Sequence, residues 1–227
     1  TRPARFFLES WSGFFAVTGP ARDLDVFLVS AREILDDAQY NRFEEMLQPQ
    51  VRSSHEAVTE MLRSSPWKNH MAGWRGFLGI LDKRQQEIPY GRLSRVMKRA
   101  RKARRRALRN GTDRNWHKLR IAVKNLRYVA DAGRNDPGAD EAALEALVNE
   151  CKELQTLLGD WHDTIVQLHM IAGPEFQALV TRIPELTAAW ELLEREIGQR
   201  KIRLLEQTAD FLAESKLFSK ASGSNPD

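Results

Sequence analysis

Apolar residues recur every three to four positions along most of this chain, a period that admits little besides α-helix. No stretch alternates as a half-buried strand must, and no Asn-Gly or Asp-Gly pair joins two apolar runs as in a hairpin. Helix breakers are sparse: Gly19-Pro20, Pro49, Ser65-Pro66, Pro89 with Gly91, Gly111, Pro137-Gly138, Gly173-Pro174 and Pro184. The intervals predict helices over 2–16, 21–46, 50–64, 67–87, 92–109, 113–133, 139–172, 174–181 and 185–214. The expected class is all-α, with long antiparallel helices joined by short loops. Residues 217–227, ending in KASGSNPD, read as a disordered tail.

Charge is distributed unevenly among those helices. The net charge of +4 conceals three regions. Residues 1–80 hold 9 Lys/Arg against 10 Asp/Glu, residues 81–134 hold 18 against 4, and residues 135–227 hold 8 against 17. An excess of 14 positive charges thus lies in the middle, which suggests a localised anion-binding surface. The alternative is that the acidic helices fold back and neutralise it.

The stretch WHKLRIAVKNLRYVAD, Trp116 to Asp131, carries His117, Arg120, Lys124 and Arg127 within an arc of roughly 80° at 100° per residue. An apolar stripe of Leu119, Ala122, Val123, Leu126, Val129 and Ala130 runs beside it and should dock on a core. The preceding stretch, Arg92–Arg109, has ten Lys/Arg in eighteen residues and no acid. There Arg92, Arg95, Arg99, Lys102, Arg106 and Arg109 share an arc of about 100°. Leu93, Val96, Ala100, Ala103 and Ala107 form a narrow stripe of mostly small residues. Like charges three and four apart repel by a few tenths of a kcal/mol per pair (~0.2–0.5), a cost a polyanionic partner would remove. Gly111 lets the two segments fold back on each other, so the two cationic stripes are expected to flank one groove about 10 Å wide. Arginine predominates, and guanidinium groups bind phosphate oxygens in pairs.

These motifs, with LQTLLGDWHDTIVQL (Leu154–Leu168) and ARDLDVFL (Ala21–Leu28), resemble the CHAD domains, the conserved-histidine α-helical domains. The resemblance covers nearly the whole chain as one domain, with halves at about 1–88 and 89–216. It implies two pseudo-symmetric helical bundles around a basic groove that binds inorganic polyphosphate. It implies that His117, Arg120, Lys124 and Arg127 line that groove beside the arginine-rich helix. It also implies association with polyphosphate granules or a CYTH-domain partner. The family's first basic helix would lie upstream of Ala21 and is expected to be missing, either because the chain, which opens TRPARFFLESWSGFF with no initiator Met, is a piece of something longer or because this member departs from the family pattern. An internal echo agrees with two similar halves: in GPARDLDVFL (Gly19–Leu28) and GDWHDTIVQL (Gly159–Leu168), Gly, Asp, Val and Leu coincide at one offset.

Catalytic and metal-binding patterns are not found. Cys151 is the single cysteine, which excludes an internal disulfide and a multi-Cys metal site and fits a cytoplasmic protein. There is no Walker loop and no HExxH. His162 and His169 stand seven apart, some ~10 Å along a helix, too far for one ion. Asp23, Asp25, Asp160 and Asp163 are expected to cap helices near Gly19 and Gly159 or to pair with cations; Arg22 is expected either in the anion groove or in a salt bridge with them. Trp11, Trp67, Trp74, Trp161 and Trp190 are expected as core anchors, and Trp116 alone falls among the basic stripe. No apolar run is long enough to span a membrane. The expected protein is a non-enzymatic polyphosphate binder without cofactor or metal. The alternative is a helical nucleic-acid-binding protein using the same surface, which competition at equal phosphate concentration would distinguish.

Overall fold

The computed structural model describes residues 2–82, 91–134 and 139–215. Among them there are eight α-helices and no strand: α1 (Arg2–Ile34), α2 (Asp37–Arg63), α3 (Ser65–Asp82), α4 (Gly91–Asn110), α5 (Asp113–Gly133), α6 (Glu141–Ala172), α7 (Pro174–Arg182) and α8 (Thr187–Glu214), with a single 3₁₀ turn at Pro184–Leu186. The all-α class follows directly from the period of the sequence. The expected junction at residues 88–89 and the tail 217–227 lie outside the described residues.

Several breakers act where the sequence places them. Ser64 accepts a hydrogen bond from the Trp67 backbone N–H ahead of Pro66, and Pro174 opens α7. A proline in the first turn gives up an N–H that has no intrahelical acceptor anyway. Gly111 ends α4 at φ +56°, a left-handed conformation that a side chain would strain.

Two expected breaks are absent. Pro20 lies inside α1 and Pro49 inside α2. An interior proline costs about 3 kcal/mol. Here the flanking turns are buried through Ala21 and Leu24 in α1 and through Met46 and Leu47 in α2. At roughly 1.5–3 kcal/mol per large buried side chain, that packing exceeds the loss. The helix expected over 21–46 is instead interrupted at Asp36. Its carboxylate Oδ1 accepts from the Gln39 backbone N–H at 2.8 Å, and Gln39 Oε1 accepts from the Asp36 N–H at 3.4 Å. This reciprocal cap satisfies two donors at the start of α2.

The chain forms two compact units, each built from separate segments. The first comprises Thr1–Gln86 and Val166–Gly198; the second comprises Glu87–Ile165 and Gln199–Asp227. α6 and α8 therefore contribute to both. In the first unit, Leu24, Phe27 and Ala31 of α1 meet Phe43 and Leu47 of α2, Ile171 of α6, Phe176 of α7, and Trp190, Leu193 and Ile197 of α8. Phe27 lies edge-on to Phe43, with ring centroids 5.5 Å apart. An aromatic cluster joins α1 and α3, where Trp11 lies edge-on to His70 at 4.9 Å and to Trp67 at 5.6 Å.

In the second unit, Ala100 and Ala107 of α4 pack with Trp116, Leu119, Val123 and Leu126 of α5, Cys151, Leu154, Leu158 and Trp161 of α6, and Leu204 and Leu212 of α8. Only alanines of α4 are fully buried, so this helix adds little apolar area and can lie close to its neighbours. The internal echo extends to burial. Ala21, Leu24, Phe27 and Ala31 are buried in α1, and Trp161, Thr164, Gln167 and Ile171, each 140 positions later, are buried in α6. Gln167 donates from Nε2 to the hydroxyl of Ser30 at 2.9 Å inside the first unit.

Candidate anion-binding site

Gly111 turns the chain between α4 and α5, and Thr112 caps α5 by accepting from the Asn115 N–H. The two helices return along one another. A cleft of about 240 Å³ opens between them, lined by Arg99, Lys102, Ala103 and Arg106 of α4 and by Asn115, Lys118 and Ala122 of α5. The pairing is antiparallel, because only Gly111 and Thr112 separate the end of α4 from the start of α5 and α5 returns along α4. Three of the cations expected from the α4 stripe are thus brought to one place. Arg92, Arg95 and Arg109 are exposed nearer the ends of the helix, where Arg95 Nε donates to the Gly91 carbonyl at 3.1 Å.

The stripe of α5 lies elsewhere. With Leu119, Val123, Leu126 and Ala130 fully buried, the two flanks of α5 differ. Asn115, Lys118 and Ala122 look onto the cleft, while Arg120 and Arg127 lie on the opposite flank with His117 and Lys124 beside them. Burial first, and then the Glu150 carboxylate, push the Cys151 thiol up to about 12, while Arg127 pulls it down; Arg127 therefore lies close to α6. The rings of His117 and His162 of α6 are 5.1 Å apart. The expectation that both stripes flank one groove is corrected by this arrangement. Spacing along a helix orders its residues around the axis but does not say which flank meets which neighbour.

Tyr128, half exposed, is overlaid by Arg127 at 4.8 Å and Lys124 at 6.0 Å from its ring centroid. Each such contact contributes about 0.5–1 kcal/mol when exposed and keeps the cations along the surface. The Nε–H of Arg127 is buried with no hydrogen-bond acceptor among the described residues. Trp116, expected among the basic stripe, is only 4% exposed and belongs to the core.

The acids leave these cations unpaired. Lys201 takes Asp113 at 3.0 Å, and Arg134 takes Asp131, Glu141 and Glu145. Among the described residues, no carboxylate forms an ion pair with Arg92, Arg95, Arg99, Lys102, Arg106, Arg109, Lys118, Arg120, Lys124 or Arg127. Arg22 belongs to the first unit and pairs with Asp23 at 3.6 Å, and Asp25 meets His55 at 3.0 Å. None of Asp23, Asp25, Asp160 and Asp163 caps a helix, because α1 runs unbroken through Gly19 and α6 through Gly159. Partial burial raises the Asp160 carboxyl, with Arg200 pulling it back and Asp163 adding to the rise.

Lys118 and Asn115 were not among the expected site residues. The signal for Lys118 was present: it precedes Ala122 by one turn, and Ala122 is the small residue α4 packs beside. Among the described residues no group of three or more His, Cys, Asp or Glu could hold a metal ion, and no helix is long and apolar enough to cross a membrane. The model of one protein family, described as the CHAD domain, matches residues 9–172. No curated protein and no solved structure matches the chain significantly.

Proposed function

The chain belongs to the CHAD domain family, and we propose that it is a non-catalytic module that binds inorganic polyphosphate through the cations of α4 and α5. One observation supports this above the rest: ten Lys and Arg side chains on two adjacent helices have no carboxylate partner among the described residues. A fold that needed only solubility would place acids among them, since each unrelieved like-charge pair costs a few tenths of a kcal/mol (~0.2–0.5). A flexible polyanion relieves all of them together.

The binding mechanism is electrostatic. Arg120, Lys124 and Arg127 succeed one another at ~5–6 Å along the axis, so a linear anion laid along α5 meets a new cation each turn. The guanidinium forks of Arg120 and Arg127 can each hold two phosphate oxygens. Both residues are half-buried, which reduces screening and strengthens the contact. His117, at the start of the same flank, adds a donor. Counterions leave the polyanion as it binds, so affinity is steeply salt-dependent. In this reading the protein works in the cytoplasm, at polyphosphate granules or beside a CYTH-domain partner.

The test is calorimetric titration with long-chain polyphosphate of the wild type and of Arg120→Glu with Lys124→Glu. The double variant should bind the long chain much more weakly while keeping its helical circular dichroism; undiminished binding would refute the proposal.

A further inference from the structure

We infer that the cleft between α4 and α5 is a separate site for a short inorganic phosphate chain, distinct from the motif flank of α5; this rests on the polyphosphate reading and adds a second point of attachment to it. Lys118 is the side chain that carries the distinction. It stands nine residues before Arg127, which at 100° per residue places the two about 180° apart around α5. An anion lying in the cleft and an anion lying along the motif flank therefore touch different sides of the helix.

The cleft has the chemistry of a small anion site. Arg99, Lys102 and Arg106 form one wall, Lys118 and the amide of Asn115 the other, and the methyl groups of Ala103 and Ala122 line the space between. Among the described residues no carboxylate lines it, and Asp113, two residues before Asn115, is held by Lys201 at 3.0 Å. The α4 cations stand at i, i+3 and i+7, a run of roughly 10 Å, long enough for several linked phosphates. The volume of about 240 Å³ is below the roughly 300–1,000 Å³ of sites for larger organic ligands. Among the described residues no aromatic ring lines the cleft, so a nucleobase would find no stacking surface there. Charge density without a base platform selects inorganic phosphate chains over nucleotides.

Tripolyphosphate and long-chain polyphosphate, each titrated calorimetrically into the wild type and Lys102→Glu with Lys118→Glu, test this. The double variant should bind tripolyphosphate at least tenfold more weakly, with a smaller loss for the long chain, which the opposite flank still holds. Lys118→Met, a single change at an exposed position, should weaken tripolyphosphate several-fold even if the double variant folds poorly. Wild-type tripolyphosphate affinity in these variants, with the long chain still bound by the native protein, would overturn the cleft site and leave the broader proposal standing. Equal losses for both ligands would make the two faces one site and also overturn it. A native protein that binds neither ligand would defeat the broader proposal itself.

Discussion

Arg104 donates from Nη2 to the backbone carbonyl of Leu212 at 2.9 Å, so one arginine of the most basic helix holds the end of α8. That carbonyl belongs to the last turn of α8, where four backbone acceptors have no intrahelical donor, and a cation there also complements the helix dipole. α4 thus mixes a structural arginine with others that face outward.

Stability should separate these roles. Arg104→Met removes a charge-assisted hydrogen bond from a half-buried position and is expected to cost about 1.5–3 kcal/mol. Arg106→Met, at an exposed position without an ion pair among the described residues, should stay within about 0.5 kcal/mol of the wild type. Urea unfolding monitored by circular dichroism measures both.

Salt dependence should count the contacts. The logarithm of the polyphosphate binding constant is expected to fall linearly with the logarithm of salt concentration, and removing one contacting cation should reduce the slope by about 0.7–1. Arg120→Gln should show that reduction in titrations between low and moderate salt. Arg22→Gln, in the pair with Asp23, should leave the slope unchanged.

Gly111 is the only residue at positive φ among those described. Nothing lies within 4 Å of a Cβ placed there, so the cost of Gly111→Ala is conformational. It should destabilise the protein by about 1 kcal/mol, read as a lower Tm. Because α4 and α5 meet through this turn, tripolyphosphate affinity should fall with it.

Cys151 should be inert in the native protein. Burial holds its thiol protonated to about 12, against 9.0 when exposed, and only the thiolate reacts readily. Alkylation at pH 8 should therefore require denaturant. Between pH 9 and 12 the unfolded chain has lost this proton and the folded chain keeps it, so stability should decline as pH rises through that window. Cys151→Ala should remove this alkaline loss.

Much of the fold was legible from local pattern. The apolar stripe of α5 predicted the burial of Leu119, Val123, Leu126 and Ala130, and the small stripe of α4 predicted the burial of Ala100 and Ala107. The cap at Asp36 could also have been read, since Gln39 stands three residues on, as such a cap requires. The continuity of α1 through Pro20 could not. Proline's cost is local, whereas the burial that outweighs it comes from helices far away in the chain.

What the sequence determined by itself was the helical class, the core faces of α4 and α5, the concentration of cations on those two helices, and the family. The class, the core faces and the cation cluster follow from periodicity and composition, which act over a few residues, whereas the family rests on the resemblance of particular motifs. Tertiary structure alone decided that α6 and α8 each serve two cores, and that Lys118 looks into a cleft while Arg127 lies near Cys151. An amphipathic helix specifies which side it buries. Which neighbour meets each remaining flank depends on where the other helices pack, and that is settled only when the whole core closes.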